Sequence, residues 1–159
     1  MKLTRTTYIL LFCIGFGLIA RLALFPSVPP GINRDEAALG YNAYSILKTG
    51  NDEWGIRFPA TFRSFGDYKL PGYMYTLVPF IATFGLNPLA VRLPSLFAGI
   101  SMIPLAYLFT VRLTKNKNIG YFSAFFLAIS PWAIHYSRVG FEANLALAFF
   151  IAGLIPLLS

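Results

Sequence analysis

Four stretches of this 159-residue chain are too apolar to lie against water, and that requirement limits the available folds sharply. A helix needs about 20 predominantly apolar residues to cross the hydrocarbon core of a bilayer. Backbone inside lipid must satisfy its own hydrogen bonds, so such stretches are expected to be helical. Residues 6–25, 93–112, 119–135 and 143–159 read as spans on this criterion. Hydrophobic residues make up 57% of the chain and charged residues 12%, about half the charged fraction of a soluble domain. The expected class is therefore all-α: a polytopic membrane protein of about four spans, with a long first external loop over residues 26–92. The chain stops inside the fourth apolar stretch with no flanking charge, which points to the N-terminal part of a longer membrane protein.

Charge placement gives the expected orientation. The net charge of +7 is not gathered into a basic run with interleaved aromatics, so nucleic acid is not the expected partner. Lysines and arginines stand singly at the edges of apolar stretches, where cations face headgroups. Lys2 and Arg5 precede the first span; Arg112, Lys115 and Lys117 follow the second. The positive-inside rule puts both groups in the cytoplasm. Segment 72–86, with Tyr73, Tyr75, Phe80 and Phe84, is then read as interfacial rather than crossing, being short and interrupted by Pro79. The first span resembles a signal peptide in its basic start, but Arg21 interrupts the cleavage region and no Ala-x-Ala triplet follows. The single cysteine, Cys13, lies in that span and excludes an internal disulfide.

The acidic residues are few, and two are adjacent: Asp35-Glu36, just beyond the first span. Carboxylates near hydrocarbon are costly and mark candidate sites. Asn33 with Glu36 three residues later has capping-box spacing. Leu39, Ala43, Ile46 and Leu47 form an apolar stripe, and Gly50 supplies the stop. An amphipathic surface helix is expected here, with Pro71 opening a second one after a polar loop over 51–70. Adjacent helical residues differ by about 100° in direction, so Asp35 and Glu36 cannot act as a close dyad. Asp35 is the candidate general base, and Glu142, at the head of the fourth span, is the candidate second catalytic carboxylate. Glu36, Tyr41, Asp67, Lys69 and Arg138 are candidate binding residues on the same outer face, with Lys69 and Arg138 at the depth of a lipid phosphate. Arginine offers a fork for phosphate and lysine a point charge. Each also has a structural reading: helix capping for Glu36, membrane anchoring for Lys69 and Arg138, and an i, i+4 pair with Arg138 for Glu142. His135, the only histidine, is a weak candidate. Mg²⁺ or Mn²⁺ is compatible with loop carboxylates, but no ligand set is fixed.

Taken in order, a first span, Asp35-Glu36 opening a surface helix, Asp67-Tyr-Lys69-Leu-Pro71, Ala90-Val-Arg-Leu-Pro-Ser95 opening a span, a basic turn, Ser130-Pro131 and Tyr136-Ser-Arg138 make a pattern. It resembles the N-terminal part of the GT-C glycosyltransferases that use polyprenyl-phosphate sugars. The nearest groups are the protein O-mannosyltransferases and the lipid A aminoarabinose transferases. That resemblance implies a catalytic role for Asp35 and a phosphate contact for Lys69. Glu142 falls where relatives often carry a second acidic residue, usually Asp.

The function this implies is inverting transfer of a sugar from a polyprenyl-phosphate carrier to a lipid, glycan or protein hydroxyl. It would take place on the extracytoplasmic face, in a bacterial plasma membrane, with no certain cofactor. Two other readings remain at this stage: a non-catalytic subunit that binds a lipid-linked saccharide, or a piece of a transporter. A transporter is expected to carry ionisable residues near the midplane of its spans, whereas here they stand at edges. In a bare membrane anchor, Asp35, Lys69 and Glu142 would point apart.

Overall fold

A computed structural model describes residues 4–25 and 27–158; Lys2, Pro26 and Ser159 lie outside the described residues. The chain is an all-α membrane protein. Helix α1 (Arg5–Leu22) is capped by Thr4 and is long and apolar enough to cross a bilayer. So is α4 (Pro88–Thr114), which starts with Asn87 accepting from the backbone N–H of Ala90 and with Pro88 at its first position. Helix α5 (Lys117–Ile129) follows a tight turn at Lys115 and packs back along α4. Helices α6 (Pro131–Ser137) and α7 (Glu142–Leu154) qualify as a span only as a broken pair, bent by 111°. A 3₁₀ turn, Ile155–Leu158, ends the described chain.

The expected helix over 119–135 is divided at Ser130-Pro131. Proline has no N–H to continue the preceding helix and suits the first position of a new one. The Ser130 hydroxyl accepts from the Ala133 N–H and caps α6. The glycines permit the tight crossings. A Cβ on Gly99 of α4 would run into Ser137 of α6, and one on Gly17 of α1 would run into Ile103 of α4.

Arg21 is wholly buried among these helices. Its guanidinium donates to the Ser137 hydroxyl and to the carbonyls of Gly17, Leu127 and Ala128. Two of those acceptors belong to the last turn of α5, where carbonyls have no partner within the helix. Arg21 therefore ties α1, α5 and α6 together through hydrogen bonds, with no carboxylate paired to it among the described residues.

The expected surface helix is α2 (Arg34–Thr49), with both hydrogen bonds of the Asn33/Glu36 capping box present and Gly50 in the left-handed conformation at its end. Its apolar face, Leu39, Ala43 and Ile46, packs on Tyr73, Met74, Leu77 and Ile81 of α3 (Pro71–Phe84). Between them, the predicted polar loop contains a short antiparallel hairpin, β1 (Phe62–Ser64) and β2 (Asp67–Lys69). Phe62 points into the α2/α3 core and meets Tyr75 edge-on. Strands of three residues are too short to show as alternation in the sequence.

Candidate active site

The site lies where α2, β2 and α7 begin or end. Asn33 starts α2, so Asp35 and Glu36 occupy its second and third positions and diverge by about 100°. Asp35 turns toward the hairpin and Glu36 toward the helix bundle. The hairpin register pairs Phe62 with Lys69, so burying Phe62 fixes the end of β2 and with it Lys69. The Lys69 ammonium lies 3.3 Å from Asp35 Oδ1 and 4.0 Å from Glu142 Oε1. Asp35, Lys69 and Glu142 thus converge, the reverse of what a bare anchor would show. All three side chains stay partly accessible, 38%, 14% and 26% respectively. One cation faces two carboxyl groups in a half-dry setting.

Glu36 is placed differently. It is buried, and its carboxylate accepts from Arg92 Nε (2.8 Å), the Gly140 N–H (2.8 Å) and the Asn33 N–H (3.1 Å). Burial alone would push its carboxyl up. The hydrogen bonds and charge of Arg92, with the two backbone donors, outweigh that and hold it below the usual carboxylate range. Arg92 also donates to the carbonyls of Pro29 and Gly31. One buried ion pair therefore joins the chain before α2, the first turn of α2, α4 and the α6–α7 turn. Gly140 is required there: a Cβ would lie 2.9 Å from Val91 Cγ1 and 3.0 Å from the Val91 carbonyl.

The start of α7 is fixed by Ser95 of α4, whose hydroxyl accepts from the Phe141 N–H and whose carbonyl accepts from Asn144. Tyr73 of α3 hydrogen-bonds Ser95 and the Val91 carbonyl. Glu142 is thereby held against Lys69 by contacts running through α4 to α3.

Among the described residues no hydrogen bond or ion pair joins the remaining sequence candidates to Lys69, although Asp67 lies near enough to Glu142 to act on its charge. Asp67 shares β2 with Lys69 and accepts from the Tyr68 N–H. Tyr41 is exposed on α2. Arg138 donates to the carbonyls of Ala23 and Val28, beyond the end of α1. Among the described residues, no group of three or more His, Cys, Asp or Glu is placed to hold a metal ion. Arg92, Gly140 and Ser95 position these side chains, and local spacing does not mark them as site residues. The sequence signal for Arg92 is that it is the one charge inside the apolar run from Pro88 to Val111.

The rise along α4 from Arg92 to Arg112 is about 30 Å, the thickness of the hydrocarbon core. The carboxylates around Arg92 thus lie at the opposite end of α4 from the Arg112/Lys115/Lys117 cluster. From Glu142 an apolar groove of about 680 Å³ runs between α3 and α7, past Thr76, Leu145 and Phe149. Those three residues also line a second groove, about 330 Å³, that continues along α4 past Phe97 and Leu105. The charged site therefore opens onto an apolar furrow that runs between α3 and α7 and on along α4.

A family model described as dolichyl-phosphate-mannose-protein mannosyltransferase matches residues 40–156. Neither a curated protein nor a solved structure matches the chain.

Proposed function

Since the chain belongs to the dolichyl-phosphate-mannose-protein mannosyltransferase family, and is a membrane glycosyltransferase on that ground, we propose that Asp35, Lys69 and Glu142 form the site of sugar transfer from a polyprenyl-phosphate carrier. The observation that carries this reading is the convergence of the three side chains at the head of an apolar furrow. The furrow suits an isoprenoid chain, and the charged end suits its phosphate. The acceptor is a hydroxyl, and the family's description names a protein as its source. By the positive-inside reading of Arg112, Lys115 and Lys117, this chemistry takes place on the extracytoplasmic face.

The acceptor oxygen attacks the anomeric carbon while Asp35 takes its proton as general base. The bond from that carbon to the phosphate oxygen breaks, and polyprenyl phosphate leaves with the electron pair. In-line attack puts base and leaving group on opposite sides of the carbon and inverts it. The Lys69 ammonium accordingly moves from Asp35 to the phosphate, a swing its four-carbon stem permits. That move frees the Asp35 carboxylate for the proton and offsets charge on the leaving oxygens. Glu142, beside Lys69, orients the ammonium and the acceptor.

The decisive variant is Asp35→Asn in the protein that carries this chain, assayed for transfer from polyprenyl-phosphate mannose. Turnover should fall by about 10²–10⁴-fold, the range for loss of a general base. Wild-type turnover at normal expression would remove Asp35 from the mechanism.

A further inference from the structure

The hairpin that delivers Lys69 carries a feature that sugar transfer from a lipid carrier does not use. Its inward face is buried through Phe62 and Ser64. Its outward face presents Arg63 and Tyr68 as cross-strand neighbours. The Arg63 guanidinium stacks 4.6 Å from the centre of the Trp54 ring, and the Trp54 indole N–H donates to the Arg63 carbonyl. At the hairpin tip, Phe65 lies over the Arg34 guanidinium at 4.9 Å. Trp54, Phe65 and Tyr68 are all more than half exposed.

Two details separate this strip from ordinary loop surface. Phe65 has φ +46° and is followed by Gly66 at φ +86°. Positive φ costs a bulky residue energy that glycine does not incur, and here the turn holds an aromatic ring out in the open. In addition, neither the Arg34 nor the Arg63 guanidinium has a hydrogen-bond or ion-pair partner among the described residues. Stacking leaves the N–H edges of both groups unoccupied while restricting their motion. Stacked arginine of this kind is suited to two-pronged capture of a carboxylate.

The strip is continuous with the site at both ends. Arg34 precedes Asp35 on α2, and Tyr68 precedes Lys69 on β2. A partner lying along it has its backbone over the carboxylates. We propose that this strip docks an acidic segment of the acceptor polypeptide, with Arg34 and Arg63 gripping carboxylates that flank the acceptor hydroxyl. The proposal rests on the transferase reading of the site and adds the acceptor's charge to it. An extended segment gains apolar contact on Trp54, Phe65 and Tyr68. Anionic lipid headgroups share the charge but gain nothing from a strip that ends at Asp35 and Lys69.

Two synthetic peptides with one threonine each, flanked by glutamates in one and glutamines in the other, test this in the full-length protein. Binding of each labelled peptide is followed by fluorescence anisotropy and transfer from polyprenyl-phosphate mannose by steady-state kinetics. The glutamate peptide should bind, and show a KM, about tenfold better than the glutamine peptide, a gap of about 1.4 kcal/mol. Arg34→Gln with Arg63→Gln should close that gap, and Arg63→Lys should close it in part, because the charge remains while the fork is lost. Equal binding of the two peptides by the wild type would overturn the proposal, as would a gap that survives the double variant. Loss of binding to phosphatidylglycerol vesicles in the double variant, with the peptide gap intact, would assign the strip to headgroups instead. Anisotropy does not depend on turnover, so failure of the transferase reading, read from Asp35→Asn, stays distinguishable from failure of this one.

Discussion

At the scale of single residues, two adjacent carboxylates have been given opposite environments by one degree of freedom, the helical turn between them. Asp35 keeps 38% of its side chain accessible and meets the Lys69 ammonium, while Glu36 is sealed against Arg92. The Glu36–Arg92 pair sets a prediction with a definite sign. The Glu36 carboxyl is held below its ordinary range in the folded protein, by Arg92 and the Gly140 and Asn33 N–H groups against the effect of burial. A lowered value in the folded state contributes stability above the unfolded value, about pH 4.3, which is lost as pH falls through the folded value. The thermal midpoint in detergent should therefore drop on acidification below about pH 4.3, and Glu36→Gln should flatten that part of the profile. Arg92→Met, which strands the buried carboxylate, should cost about 3–5 kcal/mol, a loss readable as a fall in the same midpoint at neutral pH.

At the scale of elements, the site depends on where helices start. Helix α2 starts at Asn33 because that side chain and Glu36 cap each other's backbone. Helix α7 starts where Ser95 and Glu36 collect the N–H groups of Phe141 and Gly140. Gly140 is the contact point between these two starts, so Gly140→Ala forces either Val91 or the α6–α7 turn to move. The expected cost is about 1–3 kcal/mol of stability, as for overpacking elsewhere. Glu142, two residues on, shifts with the turn. Its expected signature is a lowered thermal midpoint together with a fall in kcat, although Gly140 has no side chain to offer the reaction. A Gly140→Ala variant with wild-type midpoint and kcat would show that the turn does not set the position of Glu142.

At the scale of the whole molecule, what the sequence makes legible is what local rules decide. Apolar run length marks α1 and α4, capping chemistry marks α2, and proline at a first helical position marks α3. What stays hidden depends on long-range pairing. The 62–69 hairpin has strands too short for periodicity, and Arg92 reaches Glu36 across 56 positions. Arg138 is taken up by carbonyls near the end of α1, contacts that local spacing does not encode. The furrow belongs to this second kind, since α3, α4 and α7 line it together and no one of them forms it alone. Its role as a seat for the isoprenoid chain can be separated from catalysis. Ala146 faces the furrow between Glu142 and Phe149 and is exposed, so Ala146→Trp fills the furrow without entering the packed core. A long donor chain then loses apolar contact along most of its path, at about 25 cal/mol per Å², while a donor whose lipid is cut to a single methyl group on the phosphate does not extend into the furrow. The KM for the long-chain donor should rise at least tenfold and that for the methyl donor should stay within about twofold, a split of at least about 1 kcal/mol. Equal effects on both donors would mean that the chain leaves the site by another route.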